Sequence, residues 1–121
     1  MTEHTADAWD GLSPASDAFR LSGILSDEYS ARIVLGTAQK PVSALYVSRK
    51  WGIPIAACYR RLRDLEAAGL IASEPGPAAR NGRRTVLYRS RVRSLQVLFE
   101  EGRFRVHVDL GSGSIEATAG P

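Results

Sequence analysis

An α+β fold is what this 121-residue sequence predicts, and three observations predict it. Residues 26–69 carry apolar side chains at helical spacing, punctuated by glycine and proline. Residues 70–110 carry short runs rich in β-branched and aromatic residues, separated by turn residues. The composition, 44% hydrophobic and 24% charged, suits a chain that buries one modest core, and the length bounds it to one compact domain with tails.

The elements follow in order. Residues 1–24, rich in Thr, Ala, Asp, Ser and Gly with scattered Trp9, Leu12, Phe19 and Leu21, read as a mostly flexible acidic leader that can include a short helical piece at 14–20. Ser26 is a good N-cap for the next helix, and Asp27 and Glu28 put negative charge on its first turn, where the helix dipole favours it. That helix is expected to run to about Ala38 and to stop before Pro41. A second, short helix is capped by Ser43, has Leu45, Tyr46 and Val47 as its apolar side, and ends at Trp51-Gly52 in a left-handed turn. The third starts at Pro54, which suits a first helical position, and continues over 54–68 until Gly69 stops it. Three strand-like segments follow. Residues 70–74 form a short strand closed by Pro75-Gly76-Pro77, and residues 85–93 form its partner. Residues 95–110 read as a hairpin turning at Glu100-Glu101-Gly102. Its second arm alternates Phe104, Val106, Val108 and Leu110 on one face with Arg103, Arg105, His107 and Asp109 on the other. Residues 111–121 are Gly/Ser/Ala-rich and are expected to be a disordered tail.

Short helix, glycine turn, longer helix, strand, basic loop, strand is the order of a winged helix-turn-helix. The sequence therefore predicts three helices plus a β-wing over residues 25–94, with a C-terminal β-hairpin extension over 95–110. The run Leu25-Ser-Asp-Glu-Tyr-Ser-Ala-Arg-Ile-Val-Leu, then Pro41-Val-Ser-Ala, then Tyr59-Arg-Arg-Leu-Arg-Asp-Leu-Glu-Ala-Ala-Gly-Leu-Ile resembles archaeal winged-helix regulators related to the ArsR group. The resemblance covers roughly residues 25–110. Its most specific part is Arg60–Ile71, an arginine-rich helix ending in Leu-x-x-Leu-x-x-Ala-Gly-Leu-Ile, and it implies a DNA-binding fold.

The physical reading of the third helix agrees. On a helical wheel Cys58, Leu62 and Leu65 cluster and face the core, whereas Ala56, Tyr59, Arg60 and Arg63 fall on the opposite side. A small residue near the N-terminus lets a helix approach base edges, and arginine can bridge guanine O6/N7 or hold phosphate. The solvated cationic face of any exposed helix is the bland alternative. The loop Ala78-Ala79-Arg80-Asn81-Gly82-Arg83-Arg84 is the second candidate site, at the tip of a wing spanning 75–84. Asn-Gly favours a tight hairpin turn, and Arg80, Arg83 and Arg84 make an unpaired cationic finger suited to a DNA backbone or minor groove. The first helix is apolar on a second side (Ala31, Val34, Leu35, Ala38), which suggests a homodimer contact there, the 95–110 hairpin being the other candidate interface.

Charge points the same way. Residues 1–30 hold six acids against one base, and residues 31–105 hold fifteen bases against five acids. A basic domain behind an acidic leader suggests a polyanionic partner, nucleic acid first. Cys58 is the single cysteine, so no disulfide framework fits, and with only His4 and His107 beside it no metal site is expected. No phosphate-binding glycine loop, no acid/base or nucleophile constellation and no cofactor motif is legible, so no catalytic residue is assigned and an enzyme is the weakest expectation. No apolar run reaches membrane-spanning length, and the N-terminus does not read as a signal peptide, so a cytoplasmic, nucleoid-associated protein is expected. The leading expectation is a dimeric DNA-binding transcriptional regulator. A weakly specific architectural DNA-binding protein and a winged-helix protein-interaction module remain open beside it.

Overall fold

The computed structural model describes residues 14–78 and 80–120. The expectations for residues 1–13, with His4, Trp9 and Leu12, lie outside the described residues. The fold is α+β: four helices, α1 (Pro14–Ser26), α2 (Glu28–Gly36), α3 (Ala44–Trp51) and α4 (Ile55–Ala67), accompany six strands among the described residues. The strands are β1 (Val42–Ser43), β2 (Ile71–Ala78), β3 (Arg84–Ser90), β4 (Ser94–Glu100), β5 (Arg103–Asp109) and β6 (Ser114–Ala119). They form two antiparallel three-stranded sheets, ordered β1-β3-β2 and β4-β5-β6. The chain divides into two compact units, one spanning Asp27–Arg91 and the other built from α1 and β4 to β6.

In the first unit, α2 begins one residue later than the sequence predicts. The Ser26 hydroxyl donates to the Gly23 carbonyl (3.2 Å) and so finishes α1, leaving Asp27 as the N-cap of α2. The helix also ends early, at Gly36, with Thr37 as its C-cap: the Thr37 N–H and hydroxyl both donate to the Ile33 carbonyl (3.0 and 2.8 Å), and the residue is fully buried. At α3 the predicted cap holds, with Ser43 Oγ accepting from the Tyr46 N–H at 3.1 Å. Gly52 then takes a left-handed φ of 67° and turns the chain into α4. Pro54 is the N-cap of α4, not its first helical residue, since its ψ of 136° is extended. Ile33, Val47, Ile53, Cys58, Leu62, Leu65, Leu70 and Ile71 are all at most 3% exposed and form the core. Burying an aliphatic side chain of this size stabilises a fold by about 1.5–3 kcal/mol. Trp51 closes this core from the side: its indole lies so near Gly36 that a Cβ there would sit 2.7 Å from Nε1.

The sequence predicts that Pro75-Gly76-Pro77 terminates the strand after α4. Instead β2 runs through all three to Ala78, with a register shift between Pro75 and Ala78. As β2 is a sheet edge, prolines can sit in it without depriving a neighbouring strand of a donor. β3 ends at Ser90 rather than Arg93, because the Ser90 and Arg91 N–H groups bond the carbonyls of Thr37 and Leu70, at 2.9 Å each. The unit thus closes at Arg91, three residues before the predicted boundary at 94.

The second unit corrects two expectations. The short helical piece expected at 14–20 is present but longer: α1 runs on through the rest of the predicted flexible leader to Ser26, and its Ala18 and Leu21 are buried (0% and 2% exposed). Residues 114–119, predicted as disordered tail, form β6 and pair with β5 from Phe104 to Asp109. The predicted hairpin is therefore two strands of a three-stranded meander. Its alternation is as read: Val106 and Val108 are fully buried, and α1 lies over β5 and β6 on that face. Phe19 of α1 stacks on Phe104, ring centroids 5.2 Å apart.

Candidate nucleic-acid interface

The helix α4 presents two faces. Cys58, Leu62 and Leu65 point inward (0–3% exposed), while Ala56, Tyr59, Arg60 and Arg63 are exposed, with Tyr59 half-open at 50%. Between the two exposed arginines, Arg61 is bound to the fold. Its Nε donates to Asp27 Oδ2 (2.7 Å), its Nη2 to Asp27 Oδ1 (3.4 Å), and its guanidinium sits 5.4 Å from the Tyr29 ring centroid. The Ser30 hydroxyl donates to the same carboxylate at 2.7 Å. The Arg61 hydrogen bond in particular holds the Asp27 carboxyl below the usual carboxylate range. The cationic face of α4 is therefore Arg60 and Arg63.

The hairpin between β2 and β3 carries the second predicted group. The Asn81-Gly82 pair does not make the two-residue turn that the sequence predicts. The ladder closes at Ala78↔Arg84, and Gly82 has positive φ (81°) while Asn81 does not, whereas the tight type I′ turn needs both. Instead Asn81 Oδ1 accepts from the Arg83 N–H (3.0 Å) and folds the loop on itself. Arg80, Asn81, Arg83 and Arg84 are all exposed. Arg84 departs from the expected unpaired finger: its Nη1 donates to the Gly76 carbonyl (3.3 Å), so it braces the hairpin.

These pieces meet in a cleft of about 430 Å³ between α4, the start of α3 and the hairpin. Tyr59, Asn81, Arg83 and Arg84 line it together with Leu45, Val86 and Tyr88. Ala56, Arg60, Arg63 and Arg80 are not among its lining residues. Sequence reasoning missed Tyr88, which shares one side of β3 with Arg84 and Val86. Burial raises its phenol above the ordinary value, which keeps it a neutral donor. A second cleft, of about 460 Å³, is lined by Ser43, Leu45, Tyr46, Arg49 and Lys50. Arg49 and Lys50 were also missed; the signal was their i,i+3 and i,i+4 spacing from the exposed Tyr46 on α3.

Residues 27–91 carry twelve Lys and Arg against five Asp and Glu. Three of those acids are engaged, Asp27 by Arg61, Glu28 by Arg32 and Glu66 by the Ser73 hydroxyl. The surface field of this unit is thus positive, with three tyrosines (Tyr46, Tyr59 and Tyr88) and a band of cations along α3, α4 and the hairpin.

The other predicted residues are placed as follows. Cys58 is fully buried with its thiol 3.7 Å from the Ala44 carbonyl, and burial pushes its pKa up, which disfavours the reactive thiolate. Among the described residues no three His, Cys, Asp or Glu side chains gather as a metal site, and no helix is long and apolar enough to cross a membrane. Of the second face of α2, Ala31 and Val34 are half-buried, and only Leu35 (60%) and Ala38 are exposed. The reason is that α2 packs on both α3 and α4, so two of its sides serve the core. No protein-family model matches the sequence, and no curated protein matches it significantly.

Proposed function

We propose that this protein binds double-stranded DNA as a winged helix-turn-helix, a non-enzymatic regulator of the ArsR-like kind acting as a homodimer on the cytoplasmic nucleoid. In this reading α3 and α4 are the two helices of the motif, α4 enters the major groove and the β2–β3 hairpin is the wing. The observation that carries it is the cleft in which Tyr59 of α4 faces Asn81, Arg83 and Arg84 of the hairpin, flanked by the exposed Arg60, Arg63, Arg49 and Lys50. An aromatic ring and guanidinium groups on a helix, beside a cationic loop, serve base edges on one side and phosphates on the other.

A second reading, a weakly specific architectural DNA-binding protein, is favoured by one observation. Ile55 (40% exposed) and Ala56 stand open at the N-terminal end of α4 and offer no hydrogen bonds to bases. The test is fluorescence anisotropy of the full chain and an Arg60→Ala/Arg63→Ala double variant against its own upstream DNA and a shuffled duplex. Preference for the native fragment that falls by about a hundredfold in the variant supports the regulator, two contacts of 1–3 kcal/mol each being removed. Equal affinity for both duplexes supports the architectural protein. Absence of binding to either overturns both and points to an acidic protein partner.

A further inference from the structure

Exposed sheet edges are templates for further pairing, and most edges of this chain are blocked. β2 carries Pro75 and Pro77, and β1 is two residues long. The β5–β6 connection places the N–H and C=O groups of Ser114, Glu116 and Thr118 outward. The edge of β6 therefore carries a charge, Glu116, in the middle of its outward row. β4 has none of these guards. It pairs only with β5, and from Ser94 to Phe99 it has no charge and no proline. Its side chains are also left open: Phe99 is 78% exposed and Leu98 44%.

We propose that a second copy of this chain docks on the free edge of β4, antiparallel and centred on Val97, to make one continuous six-stranded sheet. The register follows from the backbone. Glu101 and Gly102 both have positive φ (52° and 76°), a two-residue primed turn that makes Glu100↔Arg103 a hydrogen-bonded pair. Alternation from that pair leaves the N–H and C=O groups of Leu95, Val97 and Phe99 directed away from β5. A two-fold axis through Val97 is the register that pairs the whole strand with its own copy. It sets Val97 against Val97 and Leu95 against Phe99, so apolar residues of one face meet apolar residues. The same register brings Arg93, just before β4, close to the Glu101 turn of the other copy at both ends. The Arg93 N–H is held by the Asp109 carbonyl (2.7 Å), so only the side chains can meet there, beyond the ladder. Neither residue has an ion-pair partner among the described residues, and the two charges are complementary.

This contact specifies the homodimer proposed above, and its test contains no DNA, so failure of DNA binding leaves it standing. Sedimentation equilibrium of the full chain is expected to give a dimer, and Val97→Pro, which deletes an outward N–H that β5 does not use, a monomer. Arg93→Glu is expected to weaken dimerisation about tenfold by replacing two attractions with two repulsions, and Arg93→Glu/Glu101→Arg to restore it. Far-UV circular dichroism and a thermal melt of each variant check that it is folded. A monomeric wild type overturns the proposal and leaves the edge to a strand of a different protein. A dimer indifferent to both the proline and the charge exchange overturns it too.

Discussion

Asp27 ties α2 to α4: it stands at the N-cap position of α2, and its carboxylate accepts the Ser30 hydroxyl of that helix and pairs with Arg61 of α4. Its pKa is lowered in the fold, with the Arg61 hydrogen bond as the largest cause. The sign of the linkage follows. Its contribution is fully present above the ordinary value of 3.8 and is lost as pH falls through the lower folded value. Asp27→Asn is expected to cost on the order of 1 kcal/mol at neutral pH, because the pair is partly open to solvent, and less in strong acid. Urea unfolding of both proteins at neutral and acid pH checks this: the gap between the curves should narrow as the wild-type carboxyl protonates. A neighbouring contrast separates scaffold from surface. Arg61→Ala should lower the urea midpoint, whereas Arg60→Ala should leave stability within about 0.5 kcal/mol of wild type. Three arginines within four positions thus divide into one tether and two free cations, a division set by a carboxylate thirty-four residues away.

At the level of the elements, the hairpin depends on Gly76. A Cβ there would lie 2.5 Å from Thr85 Oγ1 and 2.9 Å from Leu87 Cγ, so any side chain forces β2 and β3 apart at the root of the loop. Gly76→Ala is expected to cost about 1–3 kcal/mol through overpacking, read as a lower melting temperature with faster amide exchange at Leu87 and Val86. The sequence marks this glycine only as part of a strand terminator. What it does make legible is local: the Ser43 cap, the Gly52 turn, the inward stripe of α4 and the alternation of β5 each follow from a few neighbouring residues. The full length of α1 and all of β6 are not legible because small residues do much of their packing. Ala18 and Ala117 are buried on each other's side of the second unit, yet in sequence they look like tail. The same limit applies to the site. The face of Tyr59, Arg60 and Arg63 follows from helical periodicity, whereas Tyr88 enters the cleft only because β3 pairs beside α4, and Arg84 turns back to Gly76 because β2 continues past its prolines.

For the whole molecule, the acidic and basic blocks of the sequence do not coincide with its two units. Asp27 and Glu28 end the acidic stretch but belong to the basic unit, where Arg61 and Arg32 neutralise them. Apart from Arg84, which is bonded to the Gly76 carbonyl, the exposed cations at the proposed interface are Arg49, Lys50, Arg60, Arg63, Arg80 and Arg83. If about five of these meet phosphates, log affinity should fall with log salt at a slope of about −4.5 per protomer, roughly 500-fold between 50 and 200 mM. The slope also separates the two DNA readings. Loss of a phosphate contact weakens every duplex alike and makes the slope shallower by about 0.9, whereas loss of a base contact weakens one duplex and leaves the slope unchanged. Arg60→Ala and Arg83→Ala, each titrated against the upstream duplex and its shuffled control over a salt series, read this out. A regulator requires the first variant to lose preference at constant slope and the second to lose slope at constant preference. Should both variants lose only slope, α4 is gripping phosphate, and the protein coats DNA without reading it.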